Sequence, residues 1–152
     1  MKTFFGLFIF LFFASLCFAP VADELTINSV CFENNRQKNI IHIAGNSLDA
    51  TVDNWKQDTK MDVTIFADDK TDALVSKSIP LDKFTYSGGK LIYKGSAPLI
   101  NFQIKIVDKS FIVTAAKKDF SSINSNVTLE ISLGSYTGKG TGKLDTSLAN
   151  NR

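Results

Sequence analysis

Asp68, Asp69 and Asp72 lie close enough together in this 152-residue chain to share a cation. Calcium takes six to eight oxygen ligands, and extracellular loops often bind it through carboxylates. The stretch nevertheless lacks the Asp-x-Asp-x-Asp-Gly spacing and the distal bidentate glutamate of an EF-hand loop. A solvated hairpin tip explains the three acids equally well. We therefore predict no cofactor, and we keep calcium at these aspartates as the candidate metal site.

Catalytic groups are sparse in this sequence. His42 is the only histidine, and it lies between Ile41 and Ile43 in a predicted strand. A lone histidine cannot supply a two-histidine metal site, and no acid close in sequence orients it as a base. No Gly-x-Ser-x-Gly turn is present for a serine nucleophile. We predict a structural role for His42.

Acids on separate loops can still converge in a folded protein, because loops carry many catalytic residues. The alternative functional hypothesis is therefore a small hydrolase or metal-dependent enzyme with loop-borne acids. Its candidate residues are Asp68, Asp72 and Asp119.

Gly134 to Lys143 forms a glycine-rich run that invites comparison with phosphate-binding loops. A Walker loop needs a glycine, four residues, then Gly-Lys-Ser/Thr, and the first glycine is replaced here by Thr137 or Leu133. Alternate glycines instead indicate an edge strand, or a strand packed closely by a neighbour. An unpaired edge accepts a partner's strand, so Gly138 and Gly140 are candidate binding residues.

Three aromatic residues, Trp55, Tyr86 and Tyr93, are candidates for a sugar-binding platform. Aromatic rings present an apolar face beside a polar tip, and such surfaces suit partly apolar ligands. The competing interpretation makes Trp55 a core residue.

The first 22 residues are typical of a secretory signal peptide. Lys2 provides the positive charge, and Phe4 to Phe13 is an apolar run of about ten residues. The cleavage point is approximate, and two alternatives are a retained anchor and lipidation at Cys17. The leader predicts a secreted or periplasmic protein.

The net charge of the chain limits the classes of partner that we expect. Without residues 1–19 the chain has 16 basic and 15 acidic residues (17 − 1 against 15), close to balance. Nucleic-acid binding needs a basic excess, so we predict no nucleic-acid partner, and a membrane partner only if the leader is retained or Cys17 is lipidated. Cys31 would be the one cysteine left after cleavage, and its apolar neighbours predict burial.

The alternation of apolar and polar residues predicts where the strands lie. Phe102, Ile104 and Ile106 alternate with polar residues, and Val127 to Leu133 does so again. This period of two predicts strands. Residues 23–144 are predicted to form one all-β domain, most simply a two-sheet antiparallel sandwich of about eight or nine short strands, with a β-barrel as the alternative. Residues 145–152 are predicted to be a disordered tail.

A faint repeat suggests an internal duplication. Residues 40–48 followed by 62–66 resemble residues 111–120 followed by 126–133. Together these features predict an exported, non-enzymatic binding or interaction module whose partner is a protein or a glycan.

Overall fold

The computed structural model describes residues 23–35, 38–48, 59–67, 71–117, 120, 123 and 125–145. The predicted leader, Trp55, Asp68, Asp69 and Asp119 lie outside these ranges, as do residues 146–152. Of the predicted tail, Asp145 belongs to the last strand.

Eleven strands form one continuous sheet. In chain order they are β1 Asp23–Glu24, β2 Thr26–Asn35, β3 Lys38–Asn46, β4 Lys60–Ala67, β5 Ala73–Pro80, β6 Thr85–Ser87, β7 Lys90–Lys94, β8 Leu99–Lys105, β9 Ser110–Lys117, β10 Asn126–Leu133 and β11 Tyr136–Asp145. The order across the sheet is β5-β4-β10-β11-β2-β3-β9-β8-β7-β6, with β1 beside β11. A 3-10 turn, Leu81–Lys83, leads from β5 to β6, which are the two ends of this order.

The all-β prediction is confirmed, and its barrel alternative describes the closure: the single sheet curls into a half-barrel. The first strand in this order, β5, comes into contact with β8. Lys117 at the end of β9 donates a hydrogen bond from Nζ to the backbone carbonyl of Leu74 on β5 at 3.2 Å. This bond links β5 to a strand that lies six places away across the sheet.

The expectation of purely antiparallel pairing is wrong at β11. Asp23 and Glu24 pair with Gly138 and Lys139 in parallel, and β2 also runs parallel to β11 at Leu144 and Asp145. The other strand pairs are antiparallel. The exception arises because the neighbours of β11 on this side come from the opposite end of the chain, where no hairpin turn sets the direction.

Strand alternation fills the concave side with apolar side chains. In β4, Met61, Val63, Ile65 and Ala67 are buried and alternate with half-buried residues. The other strands contribute in the same way, and the largest fully buried side chains are Phe102, Phe111, Ile41, Ile43, Leu48, Met61, Ile65, Ile79, Leu99, Ile104, Leu129 and Ile131. Complete burial of one such side chain stabilises the fold by about 1.5–3 kcal/mol. The convex side is therefore the surface on which polar groups gather.

The two stretches of the predicted repeat lie side by side. The strand β3 pairs with β9, and β4 pairs with β10, both antiparallel. A two-fold relation between two copies of one unit would place equivalent strands against each other in this way. Leu48 and Phe120, the last residues of the first segment in each copy of the repeat, are both buried. The duplication itself stays a prediction.

Candidate functional site

A group of lysines lies on the outer surface of β7 and β8 and at the end of the 3-10 turn before β6. We call it the lysine face: Lys83, Lys90, Lys94 and Lys105, with Thr85, Ile92 and Gln103. Alternation along β7 separates Lys90, Ile92 and Lys94 from the inward-facing Leu91 and Tyr93. A two-residue hairpin turn at Gly88 and Gly89, with φ of 56° and 74°, brings β6 back along β7. Only residues that tolerate positive φ suit both turn positions.

The sheet register brings the members of the lysine face together. Lys90 lies directly opposite Lys105, and Ile92 lies between Thr85 and Gln103 on its two neighbouring strands. Side chains directly opposite each other on antiparallel strands are close neighbours. The strands therefore concentrate ammonium groups, neutral polar groups and one aliphatic side chain on one surface.

Two adjoining hollows mark this surface. One, of about 200 Å³, is lined by Lys90, Gln103, Lys105, Ser110, Phe111 and Ile112. The other, of about 280 Å³, is lined by Lys83, Thr85, Ile92 and Lys94. Gln103 in the first hollow is the direct cross-strand partner of Ile92 in the second, so the two hollows lie next to each other on the sheet.

Local charge on this surface is positive. Lys83 lies 3.7 Å from Asp82, and Lys105 contacts Asp108. Lys90 and Lys94 have no acidic partner among the described residues. As far as the described residues go, two of the four ammonium groups are thus available to an anion without breaking an ion pair.

The carboxylate of Asp108, the acid that follows β8, is held by contacts of its own. Lys105 and the hydroxyl and backbone N–H of Ser110 donate hydrogen bonds to its carboxylate, and they lower its pKa well below the usual range. The carboxylate therefore stays charged and remains bound to groups at the base of the β8–β9 hairpin.

His42 belongs to a separate polar group on the outer surface. Its Nδ1 shares a hydrogen bond with Thr114 Oγ1 at 3.2 Å, and its Nε2 lies 3.9 Å from Glu33 Oε2. Cys31 is its partner on β2 and is half-buried. The predicted burial of Cys31 is wrong because a bulge between Ile27 and Ser29 changes which side chains face inward. Within the described ranges, no three histidine, cysteine or acidic side chains are arranged to hold a metal ion.

The structure separates the aromatic candidates. Tyr93 is 8% exposed and packs against Phe84 with ring centroids 5.8 Å apart, so its place in an exposed sugar platform is corrected to a place in the core. Tyr86 is 67% exposed at the end of the sheet. Binding by Tyr86 stays a prediction.

The glycine candidates also have a different setting from the one expected. The strand β11 is flanked by β10 on one side and by β1 and β2 on the other, so the free-edge interpretation of Gly138 and Gly140 is wrong. Both glycines are buried beneath Leu25. Close packing by a neighbour, the other interpretation, accounts for them.

Among the metal candidates, Asp72 is exposed in the bend before β5. Calcium binding there stays a prediction. Within the described residues, no helix is long and apolar enough to span a membrane.

The lysine face was missed by sequence reasoning, although a signal for it exists. Residues 83–107 contain four lysines and no acid, since Asp82 and Asp108 bound the segment. Net charge over the whole chain conceals this local excess. No protein-family model, curated protein or solved structure matches the chain.

Proposed function

We propose that this protein is an exported, non-enzymatic binding module that holds an anionic group of its ligand on the lysine face. The observation that carries the proposal is the pair of adjoining hollows lined by Lys83, Lys90, Lys94 and Lys105. Each hollow combines ammonium groups with a neutral hydrogen-bonding group and an aliphatic side chain. A protein or a glycan that carries carboxylate, sulfate or phosphate groups has the matching chemistry.

Electrostatics supports this direction. A surface with one sign of charge raises the local concentration of oppositely charged ligands and speeds their association. Lys90 and Lys94 stand on one strand with Ile92 between them, and all three side chains lie on its outer side. An extended anion that follows β7 would meet charge, apolar contact and charge in turn.

The test uses the purified protein and two soluble polymers, dextran sulfate and neutral dextran, in a calorimetric titration. We expect binding to dextran sulfate alone, and the double variant Lys90→Gln with Lys94→Gln should weaken it at least about ten-fold, since each hydrogen bond to a charged group is worth a substantial fraction of the binding energy. Lys143→Gln is the matched control, because Lys143 is exposed on β11, outside the lysine face.

Equal affinity of the double variant and the parent protein would contradict the proposal. So would an equal loss in Lys143→Gln, because net charge rather than this surface would then decide binding. Binding of neutral dextran with the same affinity would also count against it.

A further inference from the structure

We infer that Lys77 keeps the free edge of β5 closed to a second copy of this chain, so that the sheet does not extend from one molecule into the next. The inference is independent of the proposed function, because Lys77 lies outside the lysine face. The strand β5 has eight residues and stands at one end of the strand order, whereas β6 at the other end has three. Among the described strands, β5 is the longest with a neighbour on one side only. An edge of this kind is a template for another strand.

The register of β4 and β5 shows which backbone groups point to the free edge. The backbone N–H of Leu81 donates a hydrogen bond to the carbonyl of Thr59 at 3.0 Å, one step beyond the pair Lys60 and Pro80. Hydrogen-bonded and non-hydrogen-bonded pairs alternate along antiparallel strands. The residues whose backbone groups point away from β4 are therefore Ser76, Ser78 and Pro80. The proline agrees with this assignment, since its missing N–H costs no bond to β4 at such a position.

The two ends of this edge offer little to a further strand. Pro80 has no N–H to donate. At the other end, the carbonyl of Leu74 already accepts the hydrogen bond from Lys117 Nζ at 3.2 Å. In the described part of the chain, no backbone hydrogen bond outside the strand ladders involves Ser76 or Ser78. The groups open to a second strand are thus those of the two serines that flank Lys77.

Lys77 lies on the apolar side of the sheet. It is half-buried, and its neighbours on the same face of β5 are the buried Val75 and Ile79. Its direct partner on β4 is Val63, which is completely buried. A lysine in such a place packs its aliphatic stem on apolar groups and keeps its ammonium group in water. No acid forms an ion pair with Lys77 among the described residues.

A strand added to β5 would cover this ammonium group, and burial of a charge without a partner is costly. Each central register of β5 against its own copy meets this obstacle. With the two-fold axis at Ser76, Lys77 would lie opposite Val75 of the second copy. With the axis at Lys77, two ammonium groups would face each other, which is destabilising. With the axis at Ser78, Lys77 would lie opposite Ile79 of the second copy, and Pro80 would have no N–H for Ser76.

The test is sedimentation velocity of the purified protein and its variants over a wide range of protein concentration. We expect Lys77→Val to dimerise with an affinity at least about ten-fold higher than that of the parent protein, because the first register then becomes an apolar pair. Lys77→Arg keeps the charge and should sediment as the parent protein does. Lys143→Val makes the same change at an exposed position on β11 and should not promote dimers.

A second substitution locates the contact. Ser76→Pro removes an N–H that points to the free edge and leaves the bonds to β4 in place, so Lys77→Val combined with Ser76→Pro should be monomeric. A dimer that persists in this double variant overturns the inference, because another surface then forms it. Lys77→Val that associates no more than the parent protein also overturns it, as does a parent dimer that Ser76→Pro abolishes.

Lys77→Thr guards the test against a folding defect in the valine variant. Threonine is β-branched and suits a strand, and it carries no charge. Circular dichroism shows whether each variant is folded. If the valine variant is not, Lys77→Thr takes its place, with dimers expected and an unchanged sedimentation profile contradicting the role of Lys77.

Discussion

Gly140 lies directly beneath Leu25, so that a Cβ on Gly140 would stand 2.9 Å from Leu25 Cβ and closer still to the Leu25 backbone carbonyl. Leu25 also donates its backbone N–H to the carbonyl of Lys139 at 2.9 Å. Gly142 is packed in the same way by β2, since a Cβ added to Gly142 would stand 2.9 Å from Val30 Cγ2. The alternate glycines of β11 therefore allow the segment from Leu25 to Val30 to pack closely against β11.

Gly140→Ala should destabilise the protein by about 1–3 kcal/mol, because the nearest obstacle is backbone and cannot move as a side chain can. The free energy of unfolding in urea measures the effect. Ser135→Ala is the control, since Ser135 is exposed in the turn before β11. An unchanged midpoint for Gly140→Ala would show that the segment is not held this closely.

The same substitution should reduce the free energy of unfolding strongly at Tyr93 on β7 and hardly at all at Tyr86 on β6. Tyr93→Ala removes a ring packed on Phe84 and next to Gly95, and we expect a loss of about 3–5 kcal/mol, as for other large aromatic core residues. Tyr86→Ala should stay within about 0.5 kcal/mol of the parent protein. Urea unfolding of both variants decides the matter, and similar losses would argue against the core position of Tyr93.

The carboxyl group of Asp62 makes the free energy of unfolding vary with pH in the acidic range. A hydrogen bond from the Ser78 side chain lowers the pKa of Asp62 below 3.8, with a smaller contribution from Lys60 at 3.1 Å and an opposing effect of partial desolvation. A carboxyl group whose pKa is lower in the folded than in the unfolded state contributes its full stabilisation to the fold at pH values above the unfolded-state pKa. This contribution disappears as the pH falls through the folded-state pKa.

Ser78→Ala should therefore reduce stability at about pH 7, and the difference from the parent protein should shrink below about pH 4 as Asp62 becomes protonated. Urea midpoints over this range measure it. Ser76→Ala, an exposed position two residues earlier on the same strand, serves as the control. A loss in Ser78→Ala that keeps the same size at every pH would refute the assignment to Asp62.

Local patterns were sufficient to predict the strands in which apolar and polar residues alternate. The alternation at Met61 to Phe66 and at Val127 to Leu133 is a property of consecutive residues. Both stretches are strands, and the alternate residues Met61, Val63 and Ile65 of the first and Val127, Leu129, Ile131 and Leu133 of the second are buried. No local pattern could place Asp23 beside Gly138, because this pairing joins opposite ends of the chain. The close packing that explains Gly138 and Gly140 depends on that placement.

The candidate site depends on register as well as on sequence. Lys90, Ile92 and Lys94 alternate visibly along the chain, but their neighbours Lys105 and Gln103 join them only through the pairing of β7 with β8. The bulge between Ile27 and Ser29 likewise depends on the pairing of β2 with β3. It leaves Val30 buried and Cys31 half-buried, against the predicted burial of Cys31, since one irregular position changes the orientation of the residues beyond it.

Asp108 should limit anion binding on the lysine face because it holds Lys105. Asp108→Asn removes the negative charge and frees that ammonium group, while the asparagine oxygen can still accept a hydrogen bond from Ser110. We expect affinity for dextran sulfate to rise roughly two- to five-fold, the range of a surface ion pair, and to fall more steeply with salt than in the parent protein.

Asp72→Asn makes the same change of charge at an exposed position in the bend before β5, and we expect it to leave the affinity nearly unchanged. Titrations at low and at physiological salt give both the affinity and its salt dependence. An equal gain in the two variants would mean that net charge, rather than the release of Lys105, controls binding. A gain in Asp108→Asn that disappears when Lys105 is replaced by glutamine would assign the effect to Lys105.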